Sequence, residues 1–127
     1  FLQTVLPEFK LVPLVVGDAS DEAVGQVLDL LWGGPETLIV ISSDLSHFYE
    51  YARAKELDGQ TAQAIERFRP EDIGGEQACG RIPIRGLLWA GRQRGLAAKT
   101  LDLRNSGDTA GTRDRVVGYG AFAFTPV

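Results

Sequence analysis

The chain has no methionine, one cysteine and one histidine in 127 residues. A single cysteine excludes an intrachain disulfide, so this is no small secreted fold held by staples. A single histidine means that a metal centre built from several imidazoles is incomplete within these residues. No apolar run approaches the roughly 18 residues of a membrane span. Positive charge is also scarce: 13 Lys and Arg face 17 Asp and Glu, for a net charge of -4. The basic residues are scattered, with one loose group at Arg81, Arg85, Arg92 and Arg94. Nucleic-acid binding needs a basic stripe, so it is not expected, and neither is binding to an anionic membrane. The chain opens at Phe1 without a signal-peptide pattern. It reads as a piece of a longer protein, and as cytoplasmic.

What is present is ordinary globular composition, 44% hydrophobic and 24% charged, in an amount suited to one domain or part of one. Leu11 to Val16 is a short apolar run closed by Gly17-Asp18, predicted as a buried strand, with Pro13 favouring an edge or a bulge. Asp18 and Ser20 are both plausible N-caps for a helix reaching Trp32. Its Val24, Val27, Leu28 and Leu31 follow helical spacing, and Gly33-Gly34-Pro35 ends it. Thr37 to Ile41 is predicted as a second strand, apolar on both faces. Strand, helix and strand in that order point to a right-handed βαβ unit with parallel strands. The expected class is therefore α/β, a mixed and largely parallel sheet flanked by helices.

Further along, Phe48 to Leu57 is suited to a helix. Asp58 is predicted to cap another helix that carries Ala62, Ile65 and Phe68 and stops before Pro70. Pro83 fits the first turn of a helix ending at Gly95. Ala98 to Arg104 and Arg115 to Phe124 read as a strand pair across a long loop, with a turn at Asn105-Ser106-Gly107-Asp108.

Three places carry candidate chemistry. Ser42-Ser43-Asp44-Leu45-Ser46-His47 leaves the carboxyl end of the second predicted strand, where open α/β sheets bind ligands. Asp44 and His47 are three residues apart, and in a turn the carboxylate can hold one tautomer of the imidazole. The plainer alternative is that Asp44 and Ser46 cap a helix and His47 is a surface residue. A serine hydrolase reading lacks the G-x-S-x-G elbow. Cys79-Gly80 precedes the predicted helix start at Ile82-Pro83, a position that lowers a thiol pKa and favours nucleophilic or metal-binding work. The alternative is a buried, inert cysteine. Asn105 to Asp108 either turns the chain or presents polar groups at the sheet edge.

Val12-Pro13-Leu14-Val15-Val16-Gly17, Ser42 to His47, Ala78-Cys79-Gly80, Asn105 to Asp108 and Val116-Val117-Gly118-Tyr119 occur in an order that resembles the Memo family. Bacterial and archaeal members include protein B of the AmmeMemoRadiSam system. The resemblance runs over essentially the whole chain and implies a fold like that of class III extradiol dioxygenases, which are non-haem iron enzymes. It places residues 1–127 as the C-terminal part of a Memo-like α/β domain, with the N-terminal half absent. It implies Cys79 as a metal ligand, two further histidine ligands in the absent half, His47 as an acid/base outside the first shell, and Asp44 beside it.

Two imidazoles and a thiolate suit iron or copper. The expected function is redox or dioxygenase-like oxidoreductase chemistry at a site shared with the absent half. This chain alone is then expected to hold no metal tightly, and to associate with that half or with itself. The alternative is a non-catalytic module that binds a peptide or small ligand in the same pocket. For both, the expected ligand is a small molecule or peptide.

Overall fold

The computed structural model describes residues 1–109 and 111–127. In chain order the elements are α1 (Leu2–Val5), α2 (Asp21–Leu30), β1 (His47–Tyr49), α3 (Tyr51–Glu66), α4 (Arg81–Gln93), β2 (Leu96–Asn105) and β3 (Val116–Pro126). Short 3-10 turns lie at Pro70–Asp72 and Ser106–Asp108.

The class is α/β, but the sheet is not the expected one. Its three strands run in the order β1-β3-β2, and both pairings are antiparallel. The two predicted parallel strands carry no ladder. Residues 11–16 and 37–41 have no regular secondary structure, so no parallel pair and no βαβ unit is present among the described residues. The physical reason is that a strand exists only through a neighbour's N–H and C=O groups, and among the described residues no strand pairs with these runs. Side-chain alternation nevertheless survives in residues 37–41. Ile39 and Ile41 pack inward on a cluster formed by Val24, Leu28 and Leu87, while Leu38 and Val40 face out. Val16 joins the same cluster and Val15 is fully exposed.

The helices follow their sequence signals closely. Ser20 is the N-cap of α2, its hydroxyl accepting from the Ala23 N–H at 3.1 Å. Asp21 and Glu22 lie in the first turn, where the helix dipole favours them. Helix α4 starts after Gly80, and Gly95 beyond its end has a φ of 64°. The two predicted helices on either side of Asp58 are in fact one, α3. Its N-cap is Glu50, whose side chain accepts from the Ala52 N–H. Asp58 is not a cap: it is buried in the middle of this helix.

Helices α2 and α4 cross closely, and the contact depends on two glycines. A Cβ on Gly86 would lie 2.3 Å from a Val24 methyl, and one on Gly25 would lie 2.2 Å from the Trp89 ring. The crossing is clamped by Arg85 and Asp21, with Nε–Oδ1 at 2.9 Å and Nη2–Oδ2 at 3.1 Å.

The predicted C-terminal strand pair is a long hairpin, registered from Leu96 opposite Pro126 to Asn105 opposite Gly118. It packs on α3 and α4 around Leu45, Ile65, Phe68, Ile73 and Leu88. No helix among the described residues is long and apolar enough to cross a membrane.

Candidate metal centre

Strand β1 is only three residues long, but it aims the site. His47 is opposite Val117 and Tyr49 is opposite Val116. Ahead of β1, the Leu45 N–H donates to the Gly118 carbonyl and the Gly118 N–H to the Ser46 carbonyl, both at 2.8 Å. Leu45 and Ser46 are buried. Asp44 and His47 flank this pinned pair, and they project on the same side: His47 Nε2 lies 3.5 Å from Asp44 Oδ2. Their side chains are 51% (Asp44) and 37% (His47) exposed. The segment is thus a sheet-edge element in its own right. It neither caps a helix nor leaves the end of a parallel strand. Phe48, the middle residue of β1, has a φ of 65° where the register shifts between His47 and Tyr49, a left-handed conformation that is uncommon for a bulky residue.

Cys79 arrives from the loop before α4, one residue ahead of the N-cap Gly80. The thiol is free and exposed, so it is not the inert core cysteine of the plainer alternative. Ser43 joins the two segments. Its hydroxyl accepts from the Gly80 N–H at 2.9 Å, donates to the Asp44 carbonyl at 2.6 Å, and lies 3.6 Å from Cys79 Sγ. Cys79 Sγ is 3.9 Å from the Asp44 carbonyl oxygen. Gly80 permits this approach, because a Cβ there would lie 2.7 Å from the Ser43 Cβ.

One ligand atom each from Asp44, His47 and Cys79 therefore lies within 4.8 Å of the others. A thiolate, an imidazole and a carboxylate form a mixed soft and hard donor set, compatible with iron or copper and equally with zinc. The 3.5 Å approach of His47 to Asp44 also suits an imidazole engaged with its carboxylate rather than with a metal.

Sequence reasoning named these three residues but missed two that support them. Ser43 lies within the Ser42 to His47 block, but its reach to Gly80 has no local signal. Asp58 matches a cap in sequence because carboxylates favour that role, but it sits inside α3. Its burial raises its pKa, an effect opposed by the hydrogen bond from the Ser46 N–H and by the charge of His47.

Asn105 to Asp108 forms a doubly bonded turn. Asn105 Oδ1 accepts from the Gly107 N–H, and Asp108 Oδ2 from the Asn105 N–H, each at 2.9 Å. The Tyr51 hydroxyl donates to Asp108 Oδ1 at 2.5 Å, which lowers the Asp108 pKa and raises that of Tyr51. Ser106 Oγ accepts from the N–H of Val117, the residue opposite His47. The block thus turns the chain and braces the strand beside the site. An adjoining open cleft of about 350 Å3 is lined by Tyr51, Lys55, Asp58, Asn105 and Asp108, among others, and by none of Asp44, His47 and Cys79.

Comparison with known proteins adds identity to this geometry. The Memo-like protein family matches residues 1–123. A MEMO1 family protein of Methanosarcina mazei is 34% identical over 129 aligned positions, covering 90% of this chain and 47% of that protein. MEMO1 family proteins of Aeropyrum pernix and Aquifex aeolicus are each 32% identical, covering 90% and 88% of this chain but 44% and 46% of their own lengths. The chain thus spans about half the length of the curated relatives it matches. With a family match across nearly every residue, the chain belongs to the Memo-like protein family.

Proposed function

We propose that this chain is the C-terminal part of a Memo-like metalloprotein whose mononuclear iron or copper site is completed by the rest of the polypeptide. The observation that carries this reading is the convergence of Asp44, His47 and Cys79, from segments far apart in sequence, onto one exposed rim. Cys79 is the metal ligand contributed here. When bound, the metal supplies one-electron or oxygen chemistry.

The chain's own residues handle the proton and the positioning. Asp44 orients the His47 ring from 3.5 Å. His47, a group suited to proton transfer near neutral pH, takes a proton from a bound substrate and returns it. Ser43 holds the Cys79 loop against the Asp44 segment.

The partner in this reading is the remainder of a family chain. Leu14, Val15, Leu38 and Val40 are exposed, on runs of which only Val16, Ile39 and Ile41 pack on α2 and α4. Exposed apolar side chains grouped in this way mark a surface for a partner, and the relatives have a comparable length of chain available to cover it.

The test is anaerobic titration of iron(II) or copper(I) into the reduced chain, alone and mixed with the remainder of a family polypeptide. Weak binding alone and one-to-one binding in the mixture is the expected result. Equal, tight binding by the chain alone would overturn the shared site. A mixture that binds a small molecule or peptide but no metal would favour the non-catalytic module.

A further inference from the structure

Asp58 has no role in the chemistry above, yet it occupies an unusual place. It is 2% exposed, in the middle of α3, and its Oδ1 accepts the Ser46 N–H at 3.0 Å. Ser46 is itself fully buried and lies between Asp44 and His47. The carboxyl group also fills the space a side chain would take on Gly118: a Cβ there would lie 2.0 Å from Asp58 Oδ2. Gly118 is the residue that exchanges backbone hydrogen bonds with Leu45 and Ser46. One buried carboxylate thus joins helix α3, the site segment and strand β3 at a single point.

Burying a carboxylate is unfavourable unless it is well paired. A helix core position needs no such group, and an apolar residue would pack there without the desolvation penalty. What an apolar residue cannot do is accept the Ser46 N–H.

We propose that Asp58 is the positioning residue of the site, setting the relative placement of Asp44 and His47 through Ser46. The proposal rests on the functional reading only in taking those two side chains to be the acid/base pair of the metal centre. Outer-shell partners that orient site residues typically change metal affinity by about 10–100-fold when lost. Asp58→Asn keeps an oxygen that accepts the Ser46 N–H, whereas Asp58→Leu keeps the bulk and loses the acceptor.

His47 is the one histidine in the chain, so its ring protons give isolated NMR signals. The metal-free readout is the change in those signals when Asp44→Asn is added, at a pH where the ring is neutral. A clear change is expected in the wild-type and Asp58→Asn backgrounds, and its loss in Asp58→Leu. Should Leu at this position fail to fold, Asp58→Ala is read in its place. Gly86→Ala, at the α2–α4 crossing, lowers stability away from the site and should leave the response intact.

The second readout is cobalt(II), added to the reduced, isotope-labelled chain mixed with the unlabelled remainder of a family polypeptide, and followed by broadening of the same signals. About tenfold or weaker affinity is expected for Asp58→Leu, and less than about threefold change for Asp58→Asn. An unaltered His47 response in both Asp58→Leu and Asp58→Ala would overturn the positioning role. So would loss of the response in Asp58→Asn equal to that in Asp58→Leu. If cobalt(II) leaves the wild-type signals untouched in that mixture, the metal reading falls, and Asp58 is still decided by the metal-free response.

Discussion

Residues 1–41 and residues 45–126 differ in how far their apolar side chains are satisfied. In the second region α3, α4 and the β2–β3 hairpin enclose a core in which Ile73 and Leu88 have no exposure. In the first, only α2 is packed as a complete element. Of the runs on either side of it, 37–41 rests Ile39 and Ile41 on α2 and α4 and leaves its other face bare, and 11–16 packs only Val16. A helix closes its hydrogen bonds within itself, so α2 forms wherever its apolar stripe finds a neighbour. A strand cannot do this, and apolar alternation without an adjacent ladder leaves irregular chain. The candidate site sits at the junction, on the first segment pinned by the hairpin.

The sharpest way to break this comparison is a pair of truncations. Leu88→Ala, in the closed region, should destabilise by about 2–5 kcal/mol. Leu38→Ala, on the bare face, should change stability by less than about 0.5 kcal/mol. Urea unfolding followed by circular dichroism measures both, and equal shifts of the midpoint would show that the two regions are packed alike.

The α2–α4 crossing joins the regions, and Gly86→Ala tests whether it is as tight as the 2.3 Å approach to Val24 implies. Overpacking of this kind destabilises by about 1–3 kcal/mol. An unchanged melting temperature would mean that the helices separate freely. The Arg85–Asp21 clamp across the same crossing should contribute less, about 1 kcal/mol, because it is partly solvated. A double-mutant cycle with Arg85→Met and Asp21→Asn isolates that coupling.

The smallest effects are those of pH, and they have opposite signs at two carboxylates of α3. The folded pKa of Asp58 is raised, chiefly by burial. Its contribution to stability is present at low pH and is lost as pH rises through the folded value. Wild type should therefore lose stability relative to Asp58→Asn over that window. The folded pKa of Glu66 is lowered, chiefly by the Thr100 N–H it accepts at 2.9 Å. Its contribution is present above the unfolded pKa and is lost as pH falls through the folded value. Glu66→Gln should thus be the less stable protein at neutral pH, with the gap closing in acid. Thermal melts from acid to neutral pH check both signs.

Much of this was legible in the residues. Ser20 as a cap, the stripe of α2, the glycine beyond α4 and the turn at Asn105 to Asp108 all act within a few positions, so local chemistry determines them. The ordered blocks around His47, Cys79 and Asn105 likewise carried the family. The tertiary structure alone decided three other things. It made α3 one helix, because Asp58 is engaged by Ser46 from another segment rather than by its own helix start. It built an antiparallel sheet, because the hairpin brought its own neighbour while residues 11–16 and 37–41 had none. And it brought Cys79 to Asp44 and His47 through the Ser43 hydroxyl and the missing side chain of Gly80. Contacts between distant segments leave no periodicity in a sequence, and only the folded chain supplies the distances that make three separate residues a candidate site.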